Sequence, residues 1–285
     1  MTQTEKDERT LSELLRIAAR ASETIARIYA TNFSVDYKSA HDPVTIADRE
    51  ANAIICEALA KAFPGVPVVA EESDPAAYGN WREASSAFFV DPLDGTRDFV
   101  KKNGEFAVMI GLAEGGRAKL GVIHAPATGR GFAGGESVPA FEWLPGAGEK
   151  KPIRVSSTTD LGAAHLLVSR SRPSEILTDI AGKLGVAKTS MMGSAGLKAL
   201  AVARGEAELY AHLGQAGWRW DTCAPEAIVR GAGGVSTDAR GNSIDYRSPA
   251  LENSEGLVMS NGILHDAMLA AIAKAVQTAP EGERP

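Results

Sequence analysis

The chain has 285 residues, enough for one large domain or two of ordinary size and for a sizeable buried core. A composition of 44% hydrophobic, 23% charged and 6% aromatic residues excludes a disordered or fibrous chain, and a net charge of −6 excludes a broadly basic nucleic-acid face. No run approaches the ~18 apolar residues of a membrane span, and the charged opening MTQTEKDERT lacks the apolar stretch of a secretory signal, so a cytoplasmic protein is expected.

The first element is an amphipathic helix with Leu11, Leu14, Leu15, Ala18, Ile25 and Ile28 on one face. A second helix starts near Thr45, turns Ile54, Ile55, Ala58 and Leu59 to one side, and stops at Phe63-Pro64-Gly65. The period then changes. Val66–Ala70 and Ala87–Val90 are short apolar runs that end in acids, as buried strands ending at a polar site do. Phe106–Ala113 and Ala118–His124 flank Glu114-Gly115-Gly116-Arg117 as a hairpin. Glycine and proline crowd positions 126–148, and a domain boundary is expected near 150–160, separating 1–155 from 156–285. Beyond it the pattern alternates. Strands are expected at His165–Ser169, Ala207–His212 and Gly256–Ser260, and helices at Ser174–Leu184, Gly196–Arg204, about Thr222 to Arg230, and Ile263–Val276. Such alternation implies a layered α/β architecture.

Chemistry concentrates in Phe88-Phe89-Val90-Asp91-Pro92-Leu93-Asp94-Gly95-Thr96. A hydrophobic strand delivers two carboxylates, three residues apart, into a turn shaped by Pro92 and Gly95. Asp91, Asp94 and the Leu93 carbonyl could offer three oxygens to a hard cation such as Mg²⁺. The amides of Gly95 and Thr96 would face an anion if a helix starts there. An Asx turn that caps local N–H groups is the alternative reading. Val68-Val69-Ala70-Glu71-Glu72 is a second apolar strand ending in acid, and neighbouring strands that end together share one crevice. Asp221 precedes a predicted helix and also reads as an N-cap; Asp48 also reads as a first-turn acid. Taken together, these acids at element ends form an oxygen-rich pocket whose mutual repulsion calls for cations.

Asp91-Pro92-Leu93-Asp94-Gly95-Thr96 resembles the DPxDGT signature of the lithium-sensitive, Mg²⁺-dependent phosphatase superfamily of inositol monophosphatases, fructose-1,6-bisphosphatases and 3′(2′),5′-bisphosphate nucleotidases. Trp220-Asp221-Thr222-Cys223-Ala224-Pro225-Glu226 is similar to the second signature in its bisphosphate-nucleotidase form. The likeness runs over roughly positions 10–270. It implies an α/β/α/β/α sandwich with an N-terminal α+β half carrying most metal ligands and a C-terminal α/β half carrying Asp221 and the specificity loops. It implies Glu71, Asp91, Asp94 and Asp221 as side-chain ligands of two or three Mg²⁺ ions, with Leu93 adding its carbonyl. Thr96 and Asp48 would orient and deprotonate the attacking water. Inhibition by Li⁺ is a further implication, and Ca²⁺, larger and looser in geometry, is expected to inhibit as well.

The substrate is expected to be a small phosphate ester, first of all adenosine 3′,5′-bisphosphate, with no nucleic-acid polymer and no membrane involved. Candidate contacts are Gly95, Thr96, Ser169, Arg170, Gly196, Lys198 and Asp221. Ser169-Arg170-Ser171-Arg172 gives two guanidinium groups able to grip phosphate, and Met192–Lys198 a glycine-rich turn into a helix. In the nucleotidases the first of these loops reads Arg-Ser-His, and Arg172 stands where that histidine is expected. An inositol or sugar phosphatase of broad specificity is the second reading, and a non-catalytic Mg²⁺/phosphate-binding regulator the third. Lys38 and Ser39 lie in a loop that could close over the metals, with His41 beside it. Cys56 and Cys223 read as reduced thiols, and the four tryptophans as core or rim. The sequence leaves monomer or homodimer open.

Overall fold

A computed structural model describes residues 2–39, 42–144 and 149–278; His41 and the tail beyond Thr278 lie outside them. α1 (Gln3–Tyr29) opens with a capping box between Thr2 and Glu5 and buries Leu11, Leu14, Leu15, Ala18 and Ile25, the expected face. Ile28 is half-buried at its edge. A small antiparallel hairpin follows, β1 (Val35–Ser39) and β2 (Asp42–Thr45). α2 (Ile46–Ala62) then buries Ala47, Ala51, Ile55 and Leu59 before the Phe63-Pro64-Gly65 stop.

The first sheet has seven strands in chain order: β3 (Val68–Ala70), β4 (Ser86–Asp94), β5 (Ala107–Glu114), β6 (Arg117–Ala125), β7 (Arg130–Gly135), β8 (Phe141–Trp143) and β9 (Lys150–Pro152). Only the β3–β4 pair is parallel. A short helix, α3 (Thr96–Val100), leads off β4. The glycine-rich stretch at 126–148, for which the sequence suggested no strand, carries β7 and β8. Its glycines answer close packing: a Cβ on Gly135 would lie 2.1 Å from the Lys119 carbonyl oxygen of the neighbouring strand.

The second sheet has the order β11-β10-β12-β14-β13, built from β10 (His165–Ser169), β11 (Lys188–Met192), β12 (Leu209–His212), β13 (Val235–Thr237) and β14 (Leu257–Ser260). β10 runs parallel to β11 and β12; β14 is antiparallel to both its neighbours. The remaining helices are α4 (Glu175–Leu184), α5 (Ala195–Ala203), α6 (Cys223–Gly231) and α7 (His265–Thr278).

Side-chain alternation sorts these elements into five layers. On β4 and β5, Phe88, Val90, Val108 and Ile110 pack on α1 and α2, while Phe89, Ala107 and Met109 face inward. On β10, β12 and β14, Leu166, Val168, Leu209 and Val258 meet α4 and α7 on the outside, while Leu167, Tyr210 and Met259 face inward. α5 and α6 fill the middle layer, giving an α/β/α/β/α sandwich. The central strands of both sheets are covered on both faces, which is why they read as continuous apolar runs. α6 sits hard on the first sheet: a Cβ on Gly111 would lie 2.6 Å from Cys223 Sγ, and one on Gly121 2.3 Å from the Ala224 oxygen. Among the described residues no helix is long and apolar enough to cross a membrane, and both cysteines are free.

Candidate active site

The parallel register of β3 and β4 pairs Ala70 with Val90, so Glu71 and Asp91 leave the sheet at one level; the Glu71 amide still donates to Val90 O at 3.0 Å. By strand parity Asp91 follows Phe89 into the middle layer. The β4–β5 register breaks between Asp91 and Asp94, and in that break the Leu93 amide donates to Asp91 Oδ1 at 2.9 Å. The Asx contact and the carboxylate convergence therefore coexist. Asp221 comes from a single 3₁₀ turn, residues 219–221, in front of α6, whose packing on Gly111 and Gly121 sets its height over the sheet. The Trp218 amide donates to Asp221 Oδ2 at 2.6 Å. Gly217, at φ +83°, makes room for that oxygen: a Cβ there would lie 2.2 Å from it.

One carboxylate oxygen each from Asp91, Asp94 and Asp221 lies within 4.8 Å of the other two. Glu71 joins them on the wall of the same cavity. Burial, then the charges of Glu71 and Asp94, push the Asp91 carboxyl well above the usual range. Burial raises Glu71 to about 8 against the pull of Lys38, and raises Asp221, with Asp94 adding to it, to about 7. The site thus holds more negative charge than its depth tolerates unaided. One internal cation relieves it. Lys38, on β1, places Nζ 2.9 Å from Glu71 Oε1 and also pairs with Glu72. Burial opposes the Lys38 charge, yet the two glutamates hold its pKa above the ordinary lysine range. Lys38 and Ser39, read as a loop, belong to a hairpin strand that reaches the site, and Ser39 lines the cavity.

Thr96 and Asp48 meet as expected. Thr96 Oγ1 lies 2.9 Å from Asp48 Oδ1 and 3.0 Å from the Leu93 carbonyl, able to donate to either. Asp48 Oδ2 accepts from the Thr45 amide and hydroxyl, so the reading of Asp48 as a first-turn acid also holds. Burial raises its pKa, against those hydrogen bonds.

The loop before α5 closes on Asp94. The Ser194 hydroxyl and the Gly196 amide both donate to Asp94 Oδ2. Lys198 is 3% exposed, and its ammonium donates to the carbonyls of Ser194 (2.7 Å), Met192 and Gly193 (both 3.3 Å). Burial lowers its pKa to about 8. Ser169, Gly95, Thr96 and Lys198 line the cavity. Arg170 turns away from the lining. Its guanidinium forks onto Glu105, with Nη2 2.8 Å from Oε1, and places Nη1 2.8 Å from Asp98 Oδ1. Glu105 accepts in turn from the Gly193 amide.

The cavity is about 450 Å³ in volume. Its far wall, unforeseen from the sequence, brings Tyr210, His212, Gln215 and Trp218 to the same space. Trp218 and Trp220 stack with centroids 5.2 Å apart and planes at 9°. Strand parity along β12 turns Tyr210 and His212 to the middle layer together; that was the signal available for the histidine. Nothing in the sequence marks Gly217.

A carboxylate cluster at paired strand ends, between the sheets of an α/β/α/β/α sandwich, defines a site built for cations and the phosphate esters they bind. The profile of the inositol monophosphatase family matches residues 6–280, and the chain belongs to that family. It is 36% identical over 238 residues to the 3′(2′),5′-bisphosphate nucleotidase CysQ of Salmonella typhimurium, covering 83% of this chain and 93% of that one. It is 35% identical to the protein of the same name from Buchnera aphidicola, covering 83% and 87%. Among solved structures, the extragenic suppressor protein suhB of Bartonella henselae superposes with a TM-score of 0.80 at 26% identity, over 93% of this chain and 99% of that one. CysQ of Bacteroides thetaiotaomicron does so with 0.75 at 28%, over 89% and 97%.

Proposed function

We propose that the chain is a Mg²⁺-dependent phosphomonoester hydrolase of the 3′(2′),5′-bisphosphate nucleotidase type, taking adenosine 3′,5′-bisphosphate to AMP and inorganic phosphate. The observation that carries the chemistry is the convergence of Asp91, Asp94 and Asp221 beside the Asp48–Thr96 pair. Kinship with the CysQ nucleotidases supports the substrate.

The donor set fits a hard divalent cation: the clustered donors are carboxylate oxygens, and an ammonium already sits against Glu71. Glu71, Asp91, Asp94, Asp221 and the Leu93 carbonyl would hold two or three Mg²⁺ ions. When bound, the ions supply positive charge to the phosphate oxygens and lower the pKa of a coordinated water. The protein's own part is orientation and proton handling. Thr96 Oγ1, donating to Asp48, has lone pairs left to accept from a water, and Asp48, made more basic by burial, receives the proton through that hydroxyl. Ser194 and Gly196 fix one oxygen of Asp94 and so hold its carboxylate in place. Phosphoryl transfer needs positioning and charge neutralisation rather than a covalent enzyme intermediate.

The test is phosphate release from adenosine 3′,5′-bisphosphate, inositol 1-phosphate and fructose 1,6-bisphosphate, with Mg²⁺ and with a chelator. The adenosine compound should lead in kcat/KM, and the chelator should abolish turnover. Asp94→Asn should lose at least about a hundredfold in kcat, since even outer-shell changes at metal sites cost 10–100-fold. Faster hydrolysis of inositol 1-phosphate would overturn the substrate assignment; undiminished turnover in Asp94→Asn would overturn the chemistry.

A further inference from the structure

The segment Ser169–Arg172 carries two arginines with opposite situations. Arg170 is committed to Asp98 and Glu105. Arg172, exposed, lines the cavity, and no carboxylate among the described residues pairs with it. Its backbone amide donates to Ser169 Oγ at 3.3 Å, and its Nη1 donates to the Gln215 carbonyl at 3.1 Å. One bond therefore steadies the guanidinium while most of its fork stays open.

The other cations near the site are engaged. Lys198 is surrounded by three carbonyls, Lys38 pairs with Glu71 and Glu72, and Arg97 has a partner of its own. Arg172 lines the same cavity as Asp91, Asp94, Asp221, Tyr210 and His212. Beside it, Ser169 and Ser171 line the same space, their hydroxyls 3.3 Å apart. A second hollow of about 530 Å³ adjoins the first and shares Arg172, His212 and Gln215 with it.

We propose that Arg172 is a specificity-determining residue that receives the second, unhydrolysed phosphate of a bisphosphorylated ester at the cavity rim. The inference deepens the phosphatase reading above and rests on it. A guanidinium fork matches two oxygens of a phosphate and supplies charge where the scissile phosphate's own site has none to spare. An ester with a single phosphate makes no use of it.

The experiment compares adenosine 3′,5′-bisphosphate with adenosine 3′-monophosphate as substrates of the wild type, Arg172→Ala and Arg172→Lys. Wild type should favour the bisphosphate. In Arg172→Ala the kcat/KM ratio of the two substrates should fall about ten- to a hundredfold, the worth of one or two charge-assisted hydrogen bonds, mainly through KM. Arg172→Lys, with charge but no fork, should fall between. Arg172 is exposed, so melting temperatures of the variants should match the wild type and exclude misfolding. A ratio held within threefold in Arg172→Ala, or a proportional loss on both substrates, overturns the clamp while the bisphosphatase reading stands. A wild type that prefers inositol 1-phosphate overturns that reading and the clamp with it.

Discussion

Arg170 offers the sharpest test of the structure, because the sequence points it at a phosphate and the fold points it at two acids. Truncating it to alanine removes the fork onto Glu105, the 2.8 Å contact with Asp98 and the bond to the Met191 carbonyl. Asp98 is 4% exposed and, among the described residues, would keep Asn103 as its side-chain hydrogen-bond partner; Glu105 would keep the Gly193 amide. Breaking a buried ion pair costs about 3–5 kcal/mol. The Arg170 side chain is 33% exposed, so solvent screening brings the figure to about 2–3 kcal/mol. At about 2–4 °C per kcal/mol for a chain somewhat smaller than this one, the melting temperature should drop by about 4–12 °C.

The pH dependence identifies the cause. Burial works against the Glu105 charge, but Arg170 and the Gly193 amide hold its carboxyl below the usual range. A depressed carboxylate contributes stability above its unfolded pKa, near 4.3, and loses it as pH falls through the folded value. The gap between wild type and Arg170→Ala should therefore be full at pH 7 and shrink below about pH 4. Glu105 also tethers the loop that fixes Asp94, so Mg²⁺ affinity measured by titration calorimetry should weaken in Arg170→Ala and recover in part in Arg170→Lys. An unchanged melting temperature with a raised KM for the bisphosphate would refute the latch and restore Arg170 to the phosphate.

Gly217→Ala should cost about a hundredfold in kcat, because the new Cβ would sit 2.2 Å from Asp221 Oδ2 and misplacements of about 1 Å carry penalties of that size; normal turnover would refute the placement of Asp221. The metal-free protein should lose stability as pH rises from about 4 to about 8. Glu71, at about 8, and Asp221, at about 7, titrate above their unfolded values, so the fold favours their protonated forms and pays as they ionise. Mg²⁺ should reverse that trend with proton release; a urea midpoint that climbs with pH in chelator would contradict it.

The parts of the fold that the sequence displayed are those where burial wrote itself into a period. α1 and α2 have one wet face, and β4, β5, β10, β12 and β14 have none, so the first read as stripes and the second as solid apolar runs. β11 has no buried residue and no such run, and β1 is exposed along most of its length. β7 was hidden for a different reason. Its glycines are packing residues, and composition alone cannot separate a glycine that turns the chain from one that admits a neighbour. The carboxylates were legible because each lies at or near the end of an element: Glu71 follows β3, Asp91 and Asp94 flank the register break at the end of β4, and Asp221 precedes α6.

What the sequence does not hold is the pairing of the cations. Lys38, Arg170, Arg172 and Lys198 look alike as positive charges near acidic motifs, yet the fold gives them four environments. Lys38 meets Glu71 because β1 crosses the end of β3, and Lys198 meets carbonyls because the turn into α5 curls around it. Arg170 meets Asp98 and Glu105 because α3 and the loop before β5 face the end of β10. Two residues further along, Arg172 has passed that edge, and among the described residues its guanidinium meets a single carbonyl, that of Gln215. A guanidinium between two carboxylates holds structure, since a phosphate arriving there must displace both. A guanidinium held by one carbonyl has charge left for a ligand, and in the wall of a cavity that ligand is an anion. The division of labour between Arg170 and Arg172 is thus set by where the sheet edge falls, which is a property of the tertiary fold.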